Sequence, residues 1–183
     1  MKRFLPIVLA GCLAHPVDDN APHPLGICGV VRHDPIVDSP HLPIGSVIAW
    51  ASNPPTSGPH YPVWAGWDRT YTDLERAYWL HNAEHGGVVL AHNCDGCDAP
   101  LAATVLGLPT DPHCDAPLWT RSIVVADPLL PDDTTIAAIA WGVAYTATCV
   151  DPDALASFIA DNYGRATENT CADGLPRDGA MIQ

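Results

Sequence analysis

The stretch Thr72–His92, TDLERAYWLHNAEHGGVVLAH, joins a predicted helix to a predicted strand and decides the fold class. Thr72 and Glu75 have the spacing of a capping box, in which a hydroxyl and a carboxylate each satisfy a backbone N–H at a helix start. Gly86-Gly87 ends the helical pattern, and the apolar run Val88–His92 then predicts a buried strand. A helix that leads into a buried strand is typical of α/β and α+β domains.

The rest of the chain continues this alternation. Residues 122–126 and 136–148 are apolar and β-branched, as buried strands are. Asp151 is a suitable N-cap, because a proline follows at the first helical position and apolar residues then recur on one face. We therefore predict an α+β (or α/β) fold: a single compact, disulfide-stabilised domain over residues 28–183, with a mixed sheet and a few helices.

Composition excludes several classes of protein. The chain has 183 residues, 48% hydrophobic and 16% charged, which supports one core and excludes disorder over the whole length. The net charge is −13 and Lys2 is the only lysine, which argues against nucleic-acid binding because that needs clustered cations. The apolar run beside the N-terminal basic residues, Phe4–Gly11, is far shorter than the ~20 residues of a membrane-spanning helix.

The N-terminus has the pattern of a bacterial lipoprotein signal. Lys2 and Arg3 precede an apolar run that ends in Leu9-Ala10-Gly11-Cys12. We expect residues 1–11 to be removed as the signal peptide, Cys12 to be lipidated, and residues 12–27 to form a proline-rich tether. The mature chain would carry six arginines against 21 acidic residues, so only the lipid would hold it to a membrane. This places it in the cell envelope, facing the periplasm or the exterior, with any protein or small-molecule partner left open.

Six further cysteines predict disulfide bonds in an exported chain; they are Cys28, Cys94, Cys97, Cys114, Cys149 and Cys171. Spacing alone does not select the partners. A Cys149–Cys171 bond is our preferred single pair, because it would close a loop around the helix that follows Asp151. Cys94-Asp-Gly-Cys97 also precedes a predicted helix at residues 99–108, where a thioredoxin-like dithiol would lie. Structural pairing is the simpler interpretation of that motif.

Two segments supply candidate metal ligands. The loop Ser52–Pro62 is stiffened by four prolines and presents His60. His81 and His85 are four residues apart, so they share a face in either a helix or a strand. Imidazoles on an inward face need a cation or hydrogen-bond partners, and a three-histidine set leaves one coordination position open. The sequence therefore predicts a transition-metal site for copper or zinc at His60, His81 and His85, with His92 held in reserve as a fourth ligand.

Several functions stay open at this point. The first is metal binding alone. The second is a metal-dependent envelope enzyme in which Glu84 acts as general base; His81-x-x-Glu84-His85 also matches an inverted zinc-peptidase pattern. Glu84 ranks below the histidines because it neighbours His81 in a helix but not in a strand. The others are a thioredoxin-like thiol oxidoreductase using Cys94 and Cys97, and a binding module using Trp64 and Trp67.

Three motifs resemble a bacterial family known as domain of unknown function 3105. They are NPPTSGPHY at residues 53–61, HNAEHGGVV at residues 81–89 and AWG at residues 140–142. The resemblance extends from about Val47 to Asn162 and implies an exported or membrane-anchored protein without a settled activity. Its motifs contain His60, His81, Glu84 and His85, which strengthens the prediction of a shared metal site. The cysteines from Cys94 to Cys114 depart from the pattern and are expected to serve this chain's stability.

Overall fold

The computed structural model describes residues 21–114, 120–175 and 178–182, so the predicted signal peptide, Cys12 and the start of the predicted tether lie outside the described residues. The described chain forms eight strands and three helices: β1 (His23–Leu25), β2 (Gly29–His33), β3 (Arg69–Tyr71), α1 (Arg76–Glu84), β4 (Val88–His92), α2 (Asp98–Leu106), β5 (Ser122–Ala126), β6 (Ile136–Ala140), β7 (Val143–Ala147), α3 (Pro152–Asn162) and β8 (Ala180–Met181). Among the described residues, none of the helices has the length and apolar character needed to cross a membrane.

All eight strands belong to one mixed sheet, in the order β1-β2-β7-β6-β4-β5-β3-β8. Strands β3 and β4 both pair parallel with β5, whereas the other neighbouring strands are antiparallel. Every residue of β4 is buried, as the apolar run after Gly87 predicts. The predicted fold class, a mixed sheet with a few helices in one compact domain, is confirmed.

Helices cover both faces of this sheet. Val89 and Ala91 of β4 pack in the same core cluster as α1, and Val88 and Leu90 pack in the cluster that contains residues of α2 and α3. Neighbouring residues of β4 therefore serve opposite layers, because side chains alternate along a strand. The layer that contains α1 also contains the cluster of His81 and Glu84, whereas Cys94 and Cys97 pack in the layer that contains α2.

Helix α1 begins later than predicted. Its N-cap is Glu75, which makes no side-chain capping bond within the described residues, so the predicted capping box is wrong. Glu75 Oε2 instead accepts a hydrogen bond of 2.9 Å from the hydroxyl of Tyr61, in the preceding loop. That loop also covers α1: the Asn82 side chain bonds both the N–H and the C=O of Ala65, at 3.0 and 2.8 Å. All nine residues of α1 are buried as a result.

Two other elements test the sequence predictions. Residues 136–148, predicted as one strand, form β6 and β7, which pair with each other across a turn at Trp141-Gly142. Gly142 has φ +78°, a conformation that L side chains rarely adopt.

The predicted cap of α3 is confirmed, because Asp151 Oδ1 accepts a 3.1 Å hydrogen bond from the Ala154 N–H. Asp151 Oδ2 also accepts from the Ile27 N–H at 2.9 Å.

Disulfide bonds join Cys28 to Cys149, Cys94 to Cys97 and Cys114 to Cys171. The six predicted cysteines are thus paired, but the preferred Cys149–Cys171 bond is wrong. The sheet explains the observed pairing. Because β2 pairs antiparallel with β7, the start of β2 lies beside the end of β7, and Cys28 lies next to Cys149. Strand β1 pairs with β2 as well, so the sheet begins inside the stretch predicted as a tether.

Candidate metal centre

Four potential metal ligands meet between α1 and the loop before it; they are His41, His60, His81 and Glu84. Each residue offers one ligand atom, and these four atoms all lie within 4.8 Å of one another. The exposed fractions of His60, His81 and Glu84 are 0%, 1% and 7%, whereas His41 is exposed. The cluster is therefore a buried site with His41 on its solvent side.

The loop brings His41 and His60 together through its backbone. The two residues form an isolated parallel bridge, in which the Leu42 N–H donates to the His60 carbonyl at 2.8 Å and the His60 N–H donates to the Pro40 carbonyl at 3.3 Å. Their ring centroids lie 4.9 Å apart. Backbone hydrogen bonds thus fix the position of both rings' attachment points, independently of any ligand.

The hydrogen bonds of the two buried rings define their tautomers. A carbonyl oxygen can only accept, so Nδ1 of His60 donates to the Gly58 carbonyl at 2.9 Å and Nδ1 of His81 donates to the Tyr61 carbonyl at 2.7 Å. In the neutral rings, both Nε2 atoms therefore carry lone pairs. His60 Nε2 faces Glu84, whereas His81 Nε2 lies 3.0 Å from His85 Nε2, so an ion bound at His81 would replace that hydrogen bond between the rings.

His60 Nε2 and Glu84 make the most informative contact of the site. Glu84 Oε2 lies 2.9 Å from His60 Nε2, a separation at which a protonated ring forms an ion pair with the carboxylate. A neutral His60 ring with its proton on Nδ1 would direct a lone pair at a carboxylate. Two buried acceptors at this distance need a proton or a metal ion between them, because the contact is otherwise repulsive.

The electrostatics of the site favour metal-binding protonation states. Burial, followed by the neighbouring His85 and His60 rings, lowers the pKa of His81 to about 3. For Glu84, burial acts to raise the pKa, but the His60 contact and the surrounding imidazoles outweigh it, so that its pKa falls below the ordinary value. His81 is thus neutral and Glu84 is ionised at neutral pH, as metal ligands must be.

His85, a predicted ligand, lies next to the four clustered residues rather than among them. Its Nε2 is 3.0 Å from His81 Nε2 and 3.3 Å from Glu168 Oε2. Burial lowers the pKa of His85 although Glu168 and Glu84 act to raise it. The structure therefore brings His60 and His81 together as predicted, adds Glu84, and places His85 between His81 and a carboxylate that is 57% exposed.

His41 is the member that the sequence analysis missed. It lies in irregular chain, where neither the helical nor the strand period connects it to the other histidines. A signal for it does exist in the sequence, since Pro40-His41-Leu42-Pro43 and Pro59-His60-Tyr61-Pro62 share the pattern Pro-His-x-Pro. The reserve ligand, His92, belongs instead to a second cluster with Cys94 and Cys97, beside α2.

The donor set suits a transition metal. Three imidazole nitrogens and one carboxylate oxygen can complete four coordination positions, and such ligands suit zinc and copper. Bonds of about 2 Å in a tetrahedral site place ligand atoms roughly 3.4 Å apart. The separations here, at most 4.8 Å, exceed that value by no more than about 1.4 Å.

Comparisons with known proteins identify a family and no nearer relative. The model of a family described as "Protein of unknown function (DUF3105)" matches residues 41–176, a span that contains the four clustered residues. No curated protein and no solved structure matches the chain.

Proposed function

We propose that this chain, which belongs to the DUF3105 family of proteins of unknown function, binds one transition-metal ion, copper or zinc, at His41, His60, His81 and Glu84. The observation that carries the proposal is that His41, His60, His81 and Glu84 each place one ligand atom within 4.8 Å of the others, with His60 Nε2 at 2.9 Å from Glu84 Oε2. A bound metal ion would take the place of the proton that otherwise lies between His60 and Glu84 and would form a coordinate bond to each.

The hydrogen-bond partners of the Nδ1 atoms of His60 and His81 support the same proposal. Metal-binding imidazoles commonly donate their second N–H to a backbone carbonyl or a carboxylate, which fixes the tautomer and the ring orientation. His60 and His81 both do so, through Gly58 and Tyr61. Two rings whose orientation is fixed in this way, with ligand atoms within 4.8 Å of each other, are preorganised for an ion.

The exposure of His41 supports an exchangeable site over a closed structural one. The other three ligands are buried, so an ion that reaches them from solvent meets His41 first. Loss of the His41 ligand would open a coordination position to solvent without disturbing the buried ligands. A protein of this kind can accept and release a metal ion.

A metal-dependent enzyme with Glu84 as general base is the alternative. A carboxylate oxygen of Glu84 lies within 4.8 Å of one ring nitrogen of each clustered histidine, which favours a ligand role. The Glu84→Gln variant separates the two roles. Weaker metal binding supports the ligand role, whereas retained metal with loss of a hydrolytic or oxidative activity supports the base.

Equilibrium dialysis of protein purified without a His tag tests the proposal. After chelation, the wild type is dialysed against buffered zinc or copper(II), and metal per chain is measured by mass spectrometry. We expect about one ion per chain in the wild type, none in His60→Ala/His81→Ala at the same free metal concentration, and wild-type binding in His23→Ala, which removes an exposed imidazole of β1. Equal binding by the wild type and the double variant would overturn it.

We also propose that the domain is exported and anchored through lipid on Cys12. The basic and apolar segments before Cys12 support this, as do three disulfide bonds, which persist in oxidising compartments. The Cys12→Ala variant should move from the membrane fraction to the soluble fraction while binding metal as the wild type does. Retention in the membrane fraction would argue against the lipid anchor.

A further inference from the structure

A second cluster, outside the proposed metal site, lies beside α2. The disulfide Cys94–Cys97 directly precedes that helix, whose N-cap is Cys97. A cavity of about 380 Å³ opens at the carboxyl ends of the parallel strands β4 and β5 and is lined by Cys94 and His92. Both cysteines are partly exposed, so the disulfide is accessible.

We propose that Cys94–Cys97 is a redox-active pair that exchanges electrons with a dithiol of a partner protein. The proposal does not depend on metal binding, because neither the cysteines nor His92 belong to the site at His41, His60, His81 and Glu84.

The first argument is that this disulfide adds the least to stability. A cross-link stabilises a fold mainly by restricting the unfolded chain, and the effect grows with the length of the closed loop. Cys94 and Cys97 are 3 residues apart, whereas the other bonds join residues 121 and 57 apart. The longer two tie together distant parts of the fold; the short one constrains a single turn.

The second argument is the environment of His92. This buried ring has an oxygen acceptor at each nitrogen: the Cys94 carbonyl is 3.1 Å from Nδ1, and Asp98 Oδ1 is 2.9 Å from Nε2. The imidazolium is the form of the ring that donates from both nitrogens. One ring nitrogen lies within 4.8 Å of both sulfur atoms. A proton shared by this ring and its acceptors, together with the N-terminus of α2, would stabilise the thiolate formed on reduction and make the disulfide a better oxidant.

The exchange proceeds in two steps. A partner thiolate attacks one sulfur of the pair, so that a mixed disulfide forms, the Cys94–Cys97 bond breaks and the other cysteine leaves as a thiolate beside His92. The partner's second thiolate then attacks the partner sulfur of the mixed disulfide and releases the first cysteine. Two electrons pass from the partner to the pair; the partner leaves as a disulfide, and the pair becomes a dithiol that takes up the partner's two protons.

Glutathione serves as the probe. The oxidised protein is equilibrated without oxygen in buffers of rising reduced-to-oxidised glutathione ratio, quenched with acid and alkylated, and each cysteine is quantified by peptide mapping. We expect Cys94 and Cys97 to become alkylated at glutathione concentrations at least about tenfold lower than those that open the other two bonds, which are controls within the same molecule. Opening of all three bonds together would overturn the proposal.

A His92 variant tests the mechanism. In His92→Asn, half-reduction of the pair should need about tenfold more reduced glutathione, and the alkylation rate of the reduced cysteines should need higher pH to reach its maximum. His33→Asn, at an exposed histidine of β2, should leave both unchanged. A second variant, His92→Ala, guards against a substitution that fails to fold. Wild-type redox behaviour in a folded His92 variant would overturn the role of this ring.

Discussion

Two buried polar clusters lie at the end of α1, and they differ in how their charges are matched. In the first, the fully buried Arg121 donates from Nε to Asp111 Oδ2 at 3.1 Å and from Nη1 to the His85 carbonyl at 2.6 Å, and the Tyr163 hydroxyl donates to the same carboxylate. In the second, His60 Nε2 lies 2.9 Å from Glu84 Oε2, and His41 and His81 each place a further ligand atom within 4.8 Å. We call these the closed and the open cluster. The comparison shows that burial alone does not indicate a site: an arginine beside a carboxylate balances its own charge, whereas several imidazoles around one carboxylate can share a cation.

The largest expected effect is on the closed cluster. Asp111→Asn leaves the Arg121 charge buried without its ion-pair partner, which costs about 3–5 kcal/mol of unfolding free energy. Urea denaturation measures this loss. Metal bound per folded chain should stay at the wild-type value, because Asp111 is not part of the open cluster; a coupled loss of metal in the folded variant would contradict the distinction between the clusters.

The closed cluster also predicts an acid dependence of stability. Burial acts to raise the pKa of Asp111, but the hydrogen bonds from Tyr163 and the His113 N–H and the charge of Arg121 lower it below its ordinary 3.8. The stabilisation from the ionised carboxylate is therefore fully present above that pH and is lost as the pH falls through the lower, folded-state value. The stability difference between the wild type and Asp111→Asn should shrink below about pH 4 in urea denaturation at several pH values. A constant difference would argue against the ionised carboxylate as the source.

The next effect is on metal affinity. His60→Ala removes a buried ligand of the open cluster and should weaken zinc binding about 100-fold, or about 2.7 kcal/mol, in competition with a chromophoric chelator. Without metal, its unfolding free energy should fall by less than that of Asp111→Asn, because the Glu84 carboxylate left behind keeps some exposure to solvent whereas Arg121 is fully buried. An unchanged affinity would remove His60 from the ligand set.

A smaller effect is expected at the exposed ligand. His41→Ala should weaken binding about tenfold, mostly through faster release, because the three buried ligands stay in place. Stopped-flow transfer of the ion to a chelator measures the release rate. A release rate equal to that of the wild type would show that the ion does not leave past His41.

The smallest effect distinguishes the structure from the sequence prediction. His85, a predicted ligand, lies beside the open cluster, and we expect His85→Ala to change zinc affinity by less than about threefold, compared with about tenfold for His41→Ala in the same chelator competition. The reverse order would restore His85 as a ligand in place of His41.

Local patterns predicted the parts of the molecule that depend on local physics. The run Val88–His92 is a buried strand and Asp151 caps α3, because periodicity and capping act within a few residues. The place of His41 in the cluster and the Cys28–Cys149 bond depend on which distant segments meet, and periodicity and capping do not encode that. The capping box failed because Tyr61, 14 residues earlier, engages Glu75. The ranking of Glu84 depended on helix or strand, and the helix places it with His81.

Anomalous diffraction at the metal edge, from crystals grown with zinc, tests the central claim most directly. The clustered ligand atoms of the open cluster predict one strong peak about 2 Å from both His60 Nε2 and His81 Nε2, with Glu84 and His41 completing the site. A peak found solely at other residues, or no peak in crystals that contain zinc, would contradict it.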